Sequence, residues 1–403
     1  MINLSLNKKV ILFGFIFTFF SSFGQSYFLG LFNTSIREAL SISHGQFGSI
    51  YASATLFSSF ILIWVGKKID DFSAIKFAYF VIISLSISSF IFSKINSIVF
   101  LFLAIFLMRL FGQGLMSHTA STTVSRYFDK SRGKALSTSW LGLSLAEFIL
   151  PVLIVYFLTF IHWRELWIGF SLLIILFLPV ASMFLINNLN INSRESDSNN
   201  NSREDTIKQW SRREVLKDYK FYIICGNLLA MPWIFTGFAV FQSFVQISKG
   251  WGPYVIAQSF MAYSICSVLT LFITGILIDK FSSRKLLIFT NIPMLIAALM
   301  LIVFDHPIVS FIFLGLLGMT NGFANVLGTS TWAELYGVRF IGGIKAMTSA
   351  LMVFSTAFGT ALYGFLIDKG FGIEQIATFS AIYVGFMLML LFMIKNKLNP
   401  HYL

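Results

Sequence analysis

Two ionisable side chains fall deep inside long apolar runs, Arg109 and Glu147, and these are the residues best placed to do chemistry. A charge at that depth in hydrocarbon costs at least about 2.5–3.5 kcal/mol on insertion scales, so each calls for a reason. At a rise of 1.5 Å per residue, Arg109 lies about 18 Å from one end of its run, and Glu147 about 18 Å from the opposite end of the next. In a hydrocarbon core of about 30 Å the two differ in height by roughly 6 Å, within side-chain reach if the segments are antiparallel neighbours. Two readings follow. In one, Arg109 attracts an anionic solute and Glu147 takes up or releases a proton, since an anion arriving beside a cation changes the protonation of a nearby carboxyl group. In the other, the two are a permanent buried ion pair that sets the packing of two helices.

Uncharged polar residues extend this constellation. Gln113 lies one helical turn from Arg109, with Ser117 a turn further, and Ser144 shares a face with Glu147. Ser21, Ser22, Gln25 and Ser26 lie in the first apolar run, Asn227 and Trp233 in the seventh, and Asn321 and Asn325 in the tenth. The last two are four apart and so share one helix face. Such groups suit a solute cavity, but buried amides in membrane helices also serve as interhelical hydrogen-bonding glue. His118, near the end of its run, reads as a solvated histidine. No HExxH, paired intramembrane Asp, His/Cys cluster or GxxxxGK[ST] loop occurs;. Neither a catalytic residue nor a metal ligand is therefore expected, no cofactor is called for, and a proton or other ion gradient is left as the energy source.

Long apolar helices must position these residues. Hydrophobic residues make up 57% of the 403 positions and charged residues 11%, against about 25% charged in soluble domains. Apolar runs at 10–32, 46–66, 74–93, 97–119, 135–159, 166–187, 219–246, 254–278, 285–304, 308–330, 345–367 and 374–394 each approach the roughly 20 residues needed to cross a bilayer;. The net charge of +12 is distributed asymmetrically. Twenty-three of the 29 Lys and Arg residues lie on one side of these spans, among them Lys130, Arg194 and Arg203, and five on the other, with Arg109 inside. The positive-inside rule then places both termini and the central loop in the cytoplasm, and the expected location is a bacterial inner membrane. The basicity is a topology signal, so no nucleic-acid partner is expected. The run after Lys8 and Lys9 is too long for a signal peptide and reads as the first span. Cys225 and Cys266 fall within spans and read as apolar fillers;.

The chain repeats itself. Gly66–Lys76 and Gly275–Lys285 share Gly, Ile, Asp, Phe, Ser and Lys at an offset of 209, and Arg132–Ser139 matches Gly343–Ala350 at an offset of 211. The fold class is therefore all-α, about twelve transmembrane helices in two parallel six-helix bundles. The expected domains are 1–187 and 219–403, joined by a polar linker at 188–218 whose Asn, Ser and charge content cannot build a core. Ile207, Trp210, Val215 and Leu216 could line one side of a short helix lying on the membrane surface;.

Residues 66–76 and 275–285 resemble the loop motif of the major facilitator superfamily, a Gly, an Asp four residues on, then basic residues. The second copy, with Gly275, Asp279, Lys280, Arg284 and Lys285, is closer; in the first, Asp71 replaces a basic residue and Ser73 a Gly. Arg109 with Gly112 and Gly114 is similar to the family's fourth-helix signature, and Trp332–Met347 to its loop after helix ten. The resemblance implies a secondary transporter working by alternating access, with helices 1, 4, 7 and 10 lining the cavity and 2, 5, 8 and 11 flanking it. It implies a loop motif (Gly66, Asp70, Gly275, Asp279, Arg284) acting as a latch, with Asp70 and Asp279 facing helix N-termini of the opposite half. Ala146–Glu147 stands where multidrug exporters carry Gly-Pro, so the organic-anion and monocarboxylate branches are the nearer match. Those branches place a base in helix 8 or 11, which 254–278 and 345–367 lack beyond their ends. The expectation is a monomeric, lipid-embedded symporter or antiporter, coupled to protons and carrying a small organic anion. Efflux of amphipathic compounds is the alternative within transport, and an intramembrane enzyme or a receptor-like protein the disfavoured alternative outside it.

Overall fold

A computed structural model describes residues 5–128, 131–187, 208–337 and 339–399. Lys130, Arg194, Arg203, Ile207, most of the linker and the extreme termini lie outside the described residues. Among those described, twelve helices are long and apolar enough to cross a membrane. They are α1 (Leu6–Gly30), α2 (His44–Asp70), α3 (Ala74–Ser93), α4 (Ile98–Tyr127), α5 (Arg132–Phe157), α6 (Trp163–Ile186), α7 (Tyr219–Val240), α8 (Pro253–Phe281), α9 (Ser283–Val303), α10 (Ile308–Tyr336), α11 (Ile341–Asp368) and α12 (Ile373–Lys397). Several outrun their apolar windows: α4 continues to Tyr127 and α10 to Tyr336. Apolar length reports the thickness of lipid to be crossed, whereas backbone hydrogen bonding carries a helix on into the polar region.

The chain divides into two compact units, Met1–Ser198 and Asn199–Leu403. The same helix pairings recur inside each: α1 with α5, α2 with α4 and α3 with α6 in the first; α7 with α11, α8 with α10 and α9 with α12 in the second. Matching close approaches sustain them. A Cβ on Gly142 of α5 would lie 2.0 Å from the Phe15 carbonyl of α1, and one on Gly359 of α11 would lie 2.1 Å from the Trp233 carbonyl of α7. Lipid offers no hydrophobic drive between helices, so such backbone contact is a main source of attraction. Two short helices, Asn33–Leu40 and Gln242–Ser248, follow α1 and α7 at the same offset of 209; the apolar run 219–246 merged the second of them with α7, which ends at Val240.

The segment after the linker packs against the C-terminal unit. Ser211 caps a single helical turn, Arg212–Val215, and Val215 is fully buried with Leu335, Tyr336 and Ile344. The Trp210 N–H donates to the Tyr336 carbonyl at 3.0 Å, and the Tyr336 hydroxyl donates to Asp218 at 3.1 Å. Of its described apolar residues, Trp210 and Val215 pack into the C-terminal unit and Leu216 stays exposed. The backbone N–H of Ser211, then Lys208 and the Ser211 hydroxyl, hold the Glu214 carboxyl at about 2. In the same unit Lys249 is fully enclosed and bridges Asp305 at 2.6 Å and Glu374 at 2.8 Å, tying the α7–α8 and α9–α10 connections to the start of α12.

Candidate functional site

The Ser–Ser–Phe–Gly–Gln–Ser run at 21–26 is poor helix-forming material, and α1 breaks there;. Ser22–Gly24 forms a 3₁₀ turn, Gln25 is extended (φ −78°, ψ 151°), and the helix resumes at Ser26. Opposite the break, α4 widens into a π-helix over Met108–Met116, a feature that clusters at functional sites. The two irregular stretches touch backbone to backbone, since a Cβ on Gly24 would lie 2.2 Å from the Met108 carbonyl and 2.3 Å from the Gln113 nitrogen.

Arg109 sits at this contact, 5% exposed. One terminal nitrogen donates to the Gly24 carbonyl and to Ser26 Oγ, each at 3.2 Å. The guanidinium lies 5.5 Å from the centre of the Tyr51 ring, and Tyr51 donates to the same Ser26 hydroxyl at 3.0 Å. Arg109 thus covers a carbonyl freed by the break, where the end of a helix favours a cation. Its buried Nε has no hydrogen-bond partner.

Glu147 faces inward from α5, 9% exposed, with the Tyr27 hydroxyl in electrostatic range and Ser22 beside that hydroxyl. No ion pair joins Arg109 to Glu147 among the described residues. The ion pair, one of the two readings of these residues, is not seen. The depth argument took both helices as regular, whereas the π-helical pattern turns Arg109 from its α-helical direction, and Gly24, Ser26 and Tyr51 occupy its donors. Tyr51 and Tyr27 are the residues that the sequence reading missed. Their only signal was a hydroxyl on a helix beside Arg109 or Glu147, too common a feature to single out.

The remaining candidates separate. Gln25 and Gln113 are half-buried at the α1–α4 irregularity, and Ser144 is half-buried near Glu147. Asn227 is fully enclosed in α7; its carbonyl accepts from Asn291 at 2.5 Å, while both its side-chain polar atoms lack partners. Trp233 is buried against the rings of Phe358, Tyr363 and Tyr383. Asn321 donates to Ser267 Oγ at 3.0 Å, joining α10 to α8, and Asn325 is exposed. The Arg109 cluster is built by α1, α2 and α4 of the N-terminal unit, and these four residues lie in the C-terminal unit.

The loop motifs make ties within their own units. Asp70 pairs with Arg126 at the end of α4, which also donates to the Ile69 carbonyl at 3.2 Å. His118 is half-buried rather than solvated, its Nε2 lying 3.0 Å from the Gly66 carbonyl, because α4 runs on beside the end of α2. In the C-terminal unit the polarity reverses: Arg284 at the start of α9 pairs with Glu334 on α10 at 3.0 Å, and Glu334 accepts from the Ser283 N–H at 2.9 Å. Gly275 borders open space, and Asp279 is exposed with no ion pair among the described residues.

A twelve-helix protein built from two like six-helix units, with a charged group at the break of its first helix, has the build of a secondary transporter. The sequence profile of the Major Facilitator Superfamily matches residues 14–342, and the chain belongs to that family. It is a multi-pass membrane protein of a transporter family. The structure is similar to that of the nucleoside transporter NupG, with a TM-score of 0.67 at 14% identity over 98% of this chain and 99% of that one. It is also similar to a bacterial homologue of the human lysosomal transporter Spinster in its inward-facing states. The unoccupied form gives a TM-score of 0.69 at 12% identity over 98% of each chain. The occupied form gives 0.70 at 13% identity over 97% of this chain and 96% of that one. No curated protein sequence matches the chain.

Proposed function

We propose that this transporter moves a small organic anion by alternating access and couples the movement to protons. In this reading Arg109 attracts the anion and Glu147 carries the proton. The observation that supports it most is that Arg109 is buried with no neutralising carboxylate among the described residues and with Nε unpartnered. An uncompensated buried cation is costly, and a solute carboxylate would supply both the missing charge and the missing acceptor. Glu147 lies in range of a tyrosine hydroxyl with no cation paired to it among the described residues, and in this reading protonation cancels its charge. Gln25, Gln113 and Ser144 are the polar groups placed to orient the solute. In this proposal the protein works as a monomer in a bacterial inner membrane with both termini cytoplasmic.

The test is uptake of a panel of small carboxylates and uncharged analogues into proteoliposomes. Arg109→Lys keeps the charge but loses the planar fork, and transport of the preferred acid should fall at least about tenfold. Ser26→Ala removes one anchor and keeps the guanidinium, so it should stay within about fivefold of the parent, one hydrogen bond being worth about 1 kcal/mol. A parent protein that favours uncharged solutes, or an Arg109→Leu variant that transports the same acid normally, would overturn the anion role.

A further inference from the structure

A groove of about 340 Å³ opens between the start of α9 and the end of α12, lined by Arg284, Lys285, Ile288, Lys395, Asn396, Leu398 and Asn399. Arg284 is spoken for: Glu334 balances its charge, and the Leu398 carbonyl and Asn399 Oδ1 accept from it at 3.1 and 2.7 Å. Lys285 and Lys395 are exposed, and neither has an acidic partner among the described residues. The groove therefore holds two uncompensated ammonium groups and the amide of Asn396, all donors suited to one phosphate.

Its setting adds apolar contact. Phe289 on α9 and Phe392 and Met393 on α12 point outward beside it, 53%, 56% and 69% exposed. Lys395 lies 3.6 Å above the Phe392 ring, which draws its ammonium along that outer face. Lys285 belongs to the first turn of α9 and Lys395 to the last turn of α12, the level at which spanning helices meet head groups;. We propose that this groove binds the head group of an anionic membrane phospholipid, its phosphate on Lys285, Lys395 and Asn396 and its acyl chains along Phe289 and Phe392. The groove beside α1 and α6 has Lys9 as its one cation, held 4.6 Å over the Phe184 ring, and serves as an internal contrast.

The proposal is tested by native mass spectrometry of the full chain, delipidated in neutral detergent and titrated with phosphatidylglycerol, phosphatidylcholine or glycerol phosphate. The parent should take up one phosphatidylglycerol at about tenfold lower concentration than phosphatidylcholine. Lys285→Gln with Lys395→Gln, both at exposed positions, should abolish that preference, and Lys9→Gln should keep it. Equal uptake of the two lipids, or an unchanged preference in the double variant, would overturn the site. Glycerol phosphate binding as tightly as phosphatidylglycerol would overturn the lipid as its source and leave a site for soluble phosphates.

Discussion

Arg109 holds together two pieces of irregular backbone, and that is where its local energetics lie. The α1 break exposes the Gly24 carbonyl in a region without water, and an unmet carbonyl there costs several kcal/mol. Arg109 meets it, and the Gly24–Gly112 contact lets α1 and α4 come close enough for the bond to form. Gly112→Ala would set a Cβ 2.7 Å from the Gly24 nitrogen, a backbone atom with little room to move. We expect it to destabilise the protein by about 1–3 kcal/mol, as overpacking does, read as a lower unfolding temperature in detergent; an unchanged temperature would mean that the helices do not meet here. Arg109 and the pair Gly112 and Gly114 were legible in the sequence, as a charge in an apolar run beside small residues. The break itself was not. The 10–32 run is apolar enough to read as one helix, and a hydropathy pattern does not register the backbone geometry that Ser22, Gly24 and Gln25 adopt.

Between elements, extramembrane ties fasten helices within each unit. Lys249 braces three connections at once, and its two carboxylates are partly in water, 77% and 45% exposed. Lys249→Met should therefore cost only about 1–2 kcal/mol, the freed carboxylates rehydrating. Burial by itself would lower the Lys249 pKa; the hydrogen bonds to Asp305 and Glu374 and their negative charges outweigh it and leave it raised. A raised pKa means the lysine contributes its full stabilisation below the ordinary lysine value, about 10.4, and loses it only as pH rises through the higher folded value. The stability gap between the parent and Lys249→Met should hence be flat from about pH 6 to pH 9; a gap that collapses within that window would contradict the brace. The strap at 208–218 depends on Trp210 and Val215. Trp210→Ala should raise amide exchange across that strap while α7 to α12 keep their protection, and uniform loss would show it to be part of the core. These ties were only half legible. The repeat located Asp70 and Arg284, but their partners Arg126 and Glu334 lie 56 and 50 positions away, a separation that pattern alone does not bridge.

At the scale of the whole chain, the repeat is faithful in fold and unfaithful in detail. The pairings of α1–α6 recur in α7–α12, down to the appended helices at an offset of 209, which is why apolar spacing and two loop matches carried so much of the architecture. The irregular features do not recur. Where α1 breaks, α7 runs through Met231, Pro232 and Trp233 without interruption, and where α4 carries its π-helix, α10 is α-helical throughout. The chemistry proposed here is centred on Arg109 and Glu147 of the N-terminal unit, and in the C-terminal unit Asn321 ties α10 to α8. The most direct test is pH-driven accumulation of the preferred organic acid in proteoliposomes by the parent and by Glu147→Gln, each compared with its own exchange rate at equal pH. If Glu147 carries the proton, the variant exchanges solute at a rate near the parent's and shows no accumulation under a pH gradient. Accumulation equal to the parent's would contradict proton coupling through Glu147.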